Sequence, residues 1–158
     1  MERRHDGYRW GGARALVALH ERELRRFVEV WRAAAADGVR LPASDDPDCA
    51  SLEALLSHVL RAARGYLLWC CRVLGLPDPG VDAVPDDVAG RLDAYVEHVL
   101  ERWDGPLKDV DGKTGELEVF PAPWGPAYCV DAMLEHAVMH PLRHTNQLLR
   151  ARGTPDAV

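Results

Sequence analysis

The sequence predicts an all-α fold, a four-helix bundle with a long, partly extended connection between helices three and four. Four segments carry apolar residues at helical spacing, and start or stop signals bound each of them. The chain has 158 residues, of which 47% are hydrophobic and 28% charged, a composition typical of one globular domain. Amphipathic helices of this number and length are typical of a bundle. We therefore predict a single domain over residues 1–158.

The first two helices are predicted by apolar stripes with clear ends. The first runs from about Gly12 to Ala36 and is followed by DGVRLPASDDPDC, a segment rich in turn residues. The second begins near Ser51, a favoured N-cap residue, and ends at GLPDPG. Its apolar face comprises Leu52, Leu55, Leu56, Val59, Ala63, Leu67, Cys70 and Leu74.

The third and fourth helices are predicted in the same way. The third opens at Pro85, a residue favoured in the first turn, and its core face comprises Val88, Leu92, Tyr95, Val96, Val99 and Trp103. The fourth spans about Tyr128 to Arg152, with Gly153 and Pro155 as stop signals. Pro141 lies inside this helix, where a proline removes one backbone hydrogen bond at a cost of roughly 3 kcal/mol. We expect a kink there.

Residues 104–127 connect the last two helices, and this connection has more residues than most loops do. Within them GELEVF alternates like a short strand, and PAPWGP is stiff and aromatic. Two interpretations remain open. The connection either packs across the end of the bundle or forms a lid or wall of a site.

Three histidines stand four residues apart in EHAVMHPLRHTNQ. On a straight helix His144 lies roughly 90° from the centre of the apolar face, His140 about 130° and His136 about 170°. His58 lies roughly 130° from the centre of its own apolar face, on the matching side of the core. We predict that His58, His140 and His144 bind one divalent metal ion, and that His136 is a surface residue pointing almost the opposite way. By spacing alone, the same pattern also fits an ordinary packed helix.

The expected ion and its surroundings follow from residue chemistry. Three neutral imidazoles suit Zn, Ni or Fe and leave coordination positions open. Gly65 lies two turns after His58 and leaves room for a ligand. Gln147 or Asn146 would orient a ligand histidine or the substrate. Three aromatic residues, Trp124, Trp69 and Tyr128, either wall an apolar pocket or belong to the core.

Several classes of function are disfavoured. The net charge of −6 without a basic cluster argues against nucleic acid as a partner. The polar N-terminal segment and the lack of a long apolar run argue against a membrane protein. Four cysteines without C-x-x-C spacing indicate reduced thiols and a cytoplasmic location. Catalytic triads, phosphate-binding glycine loops and the H-E-x-x-H motif are not found in the sequence.

The chain resembles the DinB/YfiT-like superfamily over nearly its whole length. The residues that carry the resemblance are His58 in the second helix and HPLRHTNQLL in the fourth. Thr145 and Asn146 depart from the Arg and Gly that are usual after the last histidine. The resemblance implies a metal-binding four-helix bundle with His58, His140 and His144 as the ligands. It also implies a homodimer, and S-transfer activity with a low-molecular-weight thiol such as mycothiol or bacillithiol.

Three functions therefore remain for comparison. The leading hypothesis is metal-dependent transfer of a low-molecular-weight thiol to a small electrophilic substrate, with mycothiol favoured by the arginine-rich composition. The second is a metal-dependent hydrolase, in which activated water replaces the thiol. The third is a non-catalytic metal-binding bundle that acts in stress or interaction.

Overall fold

The computed structural model describes residues 5–153 and is mostly helical, which confirms the predicted all-α class. The five helices are α1 (Gly11–Ala36), α2 (Leu52–Val73), α3 (Leu92–Trp103), α4 (Gly112–Leu117) and α5 (Val130–Ala151). One antiparallel hairpin, β1 (Phe120–Pro121) and β2 (Ala127–Tyr128), precedes α5. The predicted stop signal Pro155 lies outside the described residues, as do the ends of the predicted 1–158 domain.

Helix α5 packs chiefly on α1 and α2. It lies along α1 on one side and against α2 on another, while α3 contacts both α1 and α2. Large apolar side chains from all four long helices are fully buried, among them Leu24, Phe27, Leu56, Leu60, Trp103, Met133 and Leu148. Burial of each such side chain contributes about 1.5–3 kcal/mol. The α2–α5 contact is therefore well supported, and the helices that carry His58, His140 and His144 meet along it.

The ends of α1 and α2 agree with the sequence prediction. The Ser51 hydroxyl accepts a hydrogen bond from the Ala54 amide at 3.0 Å, as an N-cap residue does. The predicted start of the third helix at Pro85 is wrong, because α3 begins at Leu92. Residues 88–91 form a 3-10 turn instead, and Gly90 within them disfavours an α-helix. The i, i+4 pair Val88 and Leu92 is nonetheless buried as predicted.

The connection between α3 and α5 is folded rather than loose. The predicted strand in GELEVF is wrong, since Gly115–Leu117 complete α4 and only Phe120 belongs to a strand. Helix α4 packs on buried Trp10, and the Trp69 indole N–H donates to the Pro121 carbonyl at 3.0 Å. These contacts fix the hairpin across the end of α2.

We expect Gly115→Ala to destabilise the protein by about 1–3 kcal/mol, the usual cost of overpacking. A Cβ at this position would lie 2.3 Å from Cζ3 of Trp10, a clash that requires the buried indole to move. Urea unfolding measures the change. Gly105→Ala is the matched control, because a Cβ there meets no atom within 4 Å. Equal stabilities of the two variants would contradict the packing of α4 on Trp10.

The four cysteines are free thiols, and Cys70 and Cys71 are buried in α2. Burial raises the pKa of Cys71 to about 11 and that of Cys70 further, so both are protonated at neutral pH. Within residues 5–153, no helix combines the length and the apolar character that crossing a membrane requires.

Candidate metal centre

The three predicted ligand histidines meet between α2 and α5. His58 comes from α2, and His140 and His144 come from successive turns of α5. One ring nitrogen of each lies within 4.8 Å of the corresponding nitrogens of the other two. The ring centroids are 4.8 Å apart for His58 and His140, 4.8 Å for His140 and His144, and 5.2 Å for His58 and His144. The structure thus brings together the three residues that the sequence singled out as a possible metal site.

The Nδ1 atoms of His140 and His144, the two candidate ligands on α5, are held by neighbouring side chains. Nδ1 of His144 lies 2.8 Å from Oε1 of Gln147, an amide oxygen that only accepts. His144 therefore carries its hydrogen on Nδ1. Nδ1 of His140 lies 3.0 Å from the hydroxyl of Tyr66, which extends from α2. Both rings are therefore oriented through Nδ1.

His58 is held in the same way from a third direction. Its Nδ1 lies 2.9 Å from a carboxylate oxygen of Asp48, in the segment before α2. The other carboxylate oxygen of Asp48 accepts a hydrogen bond from Arg61 at 2.6 Å. A carboxylate beside Nδ1 favours the tautomer that carries its hydrogen there and leaves Nε2 available. Each of the three histidines is thus anchored by one outer partner.

The Nε2 atoms of His140 and His144 are buried and have no hydrogen-bond partner among residues 5–153. A buried polar atom without a partner costs about 1–3 kcal/mol, so native proteins rarely leave one. Two such atoms next to a third imidazole, with every Nδ1 already engaged, fit a metal ion as the missing partner. The three nitrogen donors also suit a metal ion, because neutral imidazole Nε2 is a common metal ligand.

The electrostatics of the site keep the α5 histidines neutral. Burial lowers the pKa of His140 far below its ordinary value, and its neighbours His144, His58 and Arg143 lower it further. Burial also lowers the pKa of His144, although its hydrogen bond to Gln147 opposes the shift. At neutral pH, each of these uncharged rings therefore keeps one nitrogen lone pair that a metal can bind. Protons therefore compete little with a metal at these two positions.

The histidines line a cavity of about 500 Å³. Its walls include Tyr66 and Trp124, whose ring centroids are 5.9 Å apart, and Trp124 is 47% exposed. Gly65 contributes open space, because a Cβ there would meet no atom within 4 Å. A second cavity of about 570 Å³ shares Gly65 and Pro123 with the first. The connection between α3 and α5 therefore both packs across α2 and walls the histidine cavity.

The predicted outward direction of His136 is wrong. Its ring stacks on Trp124 at a centroid distance of 5.9 Å, lies 5.3 Å from Tyr66, and lines the cavity. Val138 is only half-buried, whereas Met133, on the histidine side of α5, is fully buried. The true buried face is consequently rotated toward the histidines.

The other expected neighbours divide into two groups. Gln147 contacts His144, and Trp124 and Gly65 line the histidine cavity. Asn146 lines an adjoining cavity, which shares His136, His140 and Arg143 with the histidine cavity. Trp69 is buried and lines the second cavity.

Sequence reasoning missed two of the side chains that hold the ligand histidines, Tyr66 and Asp48. Tyr66 follows His58 by eight residues, so helical periodicity places the two on one side of α2 and was the available signal. Asp48 lies in an irregular segment, where no periodicity reports its direction.

Loss of the Gln147 contact is expected to weaken metal binding by roughly 10- to 100-fold, the usual effect of removing an outer hydrogen-bond partner. Gln147→Leu removes the oxygen that orients His144, whereas Gln147→Glu retains an acceptor and should stay close to the parent. Competition with a chromophoric chelator measures both Zn affinities. Unchanged affinity in Gln147→Leu would show that the contact does not orient the ring.

Comparison of the chain with protein-family models found no match, and neither did comparison with curated proteins or with solved structures. The main functional feature of the described residues is the group of three converging histidines at the wall of an aromatic cavity.

Proposed function

We propose that this protein is a divalent-metal-dependent enzyme that transfers a low-molecular-weight thiol, such as mycothiol, to a small electrophile. In this proposal the four long helices form a bundle of the DinB/YfiT type, and His58, His140 and His144 hold one Zn, Ni or Fe ion. The observation that carries it is the pair of buried, unpartnered Nε2 atoms of His140 and His144 beside His58, within the described residues 5–153.

The number of ligands favours a working site over a structural one. A structural zinc site normally has four protein ligands, whereas catalytic sites have three and an open position. Among residues 5–153 the ligand group comprises three side chains. His136 is not one of them, and its ring centroid lies 6.2 Å from that of His140. His58, His140 and His144 would hold the ion, which when bound would lower the pKa of a thiol substrate and so supply thiolate at neutral pH.

The protein's own residues shape the substrate side of the cavity. Tyr66, Trp124 and His136 form an aromatic wall suited to an apolar body. Arg143 is exposed at the same cavity and pairs with no carboxylate of the described chain. Its charge would attract an anionic group on the substrate. Burial raises the pKa of Tyr66 to about 12, so its hydroxyl keeps its proton at neutral pH.

The remaining expectations belong to the same proposal. Four free thiols agree with a cytoplasmic location. The net charge of −6 agrees with a protein that does not bind nucleic acid. A homodimer is inferred from the family resemblance, and size-exclusion chromatography with light scattering tests it.

The decisive experiment measures metal content by elemental mass spectrometry on untagged protein and on the His58→Ala variant. We expect about one divalent ion per chain, lost in the variant. Metal-loaded protein is then assayed for consumption of mycothiol or bacillithiol with electrophiles such as a chlorobimane.

Each outcome separates the candidate functions. Thiol consumption that requires the metal supports the transferase. Turnover of an ester or amide without thiol would replace it with the hydrolase. Failure to bind Zn, Ni or Fe would overturn the metal site and leave a non-catalytic bundle.

A further inference from the structure

Pro141 removes a hydrogen bond from the middle of α5. In an α-helix, the amide of residue 141 would donate to the carbonyl of Ala137, but proline has no N–H, and its ring crowds the same carbonyl. Helix α5 nevertheless continues without a break from Val130 to Ala151. Ala137 is fully buried, so solvent does not satisfy its carbonyl.

A side chain from another helix takes the place of the missing amide. Nδ1 of His20, on α1, lies 2.9 Å from the carbonyl oxygen of Ala137. A carbonyl only accepts, so Nδ1 carries the hydrogen of the ring. His20 is 1% exposed, and its ring packs against Trp103 at a centroid distance of 4.5 Å. The donor is thus held by both its hydrogen bond and its packing.

The position of this contact links it to the metal centre. His140 immediately precedes Pro141, and His144 follows it by three residues. The path of α5 through the proline therefore determines how the two rings face each other. Downstream, the Thr145 hydroxyl donates to the Pro141 carbonyl at 2.9 Å and ties the next turn.

We propose that His20 is a positioning residue: its Nδ1–H replaces the amide that Pro141 lacks and thereby sets His140 relative to His144. The effect on metal binding rests on the proposed function. The role of His20 as the donor to the Ala137 carbonyl, in place of the amide that Pro141 lacks, does not rest on it.

The test is a double-mutant cycle with His20→Leu, Pro141→Ala and the combined variant. The Pro141→Ala change restores an amide for the Ala137 carbonyl, so His20 should then matter less. In the presence of a chelator, we expect His20→Leu to lower Tm by roughly 3–8 °C in the parent, and by less than half as much in the Pro141→Ala background. Equal losses in both backgrounds would overturn the pairing.

The second readout is Zn affinity, measured by chelator competition. We expect His20→Leu to weaken binding roughly tenfold, as for other outer contacts of metal sites. His20→Asn is the matched variant, because its amide nitrogen is as many bonds from Cα as Nδ1 of histidine. It should keep the affinity within about threefold even though the lost ring volume lowers Tm.

These readouts separate the two proposals. Coupling in Tm without measurable Zn binding by the parent would retain the role of His20 and reject the metal function. Coupling in Tm with equal Zn affinity in His20→Leu and the parent would show that His20 supports the helix alone, and would overturn its positioning role. Where His20→Leu does not fold but the combined variant does, the pairing is supported. Where neither His20→Leu nor the combined variant folds, the Zn affinity of His20→Asn is the test. Loss of that affinity would overturn the positioning role of His20.

Discussion

Replacing His144 with alanine is expected to lower metal affinity by more than about 100-fold, beyond the range seen for loss of outer partners. The variant removes one of three ligand nitrogens and leaves Nε2 of His140 without its neighbour. Two imidazoles hold a divalent ion much less tightly than three. Isothermal titration with Zn, on protein stripped by chelator, measures the loss.

His136→Ala is the control for this prediction. Its ring lies on the same side of α5, one turn before His140, but it stands outside the ligand group and contacts aromatic residues instead. We expect its Zn affinity to stay within a few-fold of the parent. Equal losses in the two variants would contradict the assignment of the ligands.

Acid is expected to destabilise the metal-free protein through His20. This loss of unfolding free energy adds to that from any other titrating group. Burial lowers the pKa of His20 to about 4 from an ordinary value near 6.5. The unfolded chain therefore binds a proton at this position at a higher pH than the folded chain does. The stabilisation is present above pH 6.5 and is lost as pH falls toward 4, by about 3 kcal/mol in total.

Urea unfolding at pH 7 and pH 5, with chelator present, measures this loss. Between these values His20 alone should remove about 2 kcal/mol of unfolding free energy. His20→Asn does not titrate at position 20, so its loss between pH 7 and pH 5 should be smaller by that amount. All other titrating groups are shared by the two proteins. Parallel pH dependences would show that His20 is already protonated, or equally neutral, in both states.

Much of the helical framework follows from local sequence. The apolar stripes of α1 and α2 and the cap at Ser51 predicted the helix ends closely, because these signals act over one or two turns. The same local reasoning failed at Pro85, where a 3-10 turn places Val88 and Leu92 on the core side just as an α-helix would. Short apolar spacing does not distinguish the two.

The candidate site shows a similar division. The i, i+4 pair on α5 and His58 on α2 were apparent from the sequence, as was the possibility that Gln147 orients a ligand histidine or the substrate. Asp48 was not, because it reaches His58 from an irregular segment. The direction of His136 was misjudged because an apolar pattern defines the buried face of a helix only approximately.

By itself, the sequence determined the all-α class, the approximate positions of α1, α2 and α5, and the three histidines that the structure brings together. Only the tertiary structure decided which nitrogen of each histidine is free, that Tyr66 and Asp48 hold two of the rings, and that His20 satisfies the carbonyl that Pro141 leaves unpaired. The physical reason is range. Propensities, caps and periodicity act within a few residues, whereas these contacts join helices and segments whose relative placement depends on how the whole core packs.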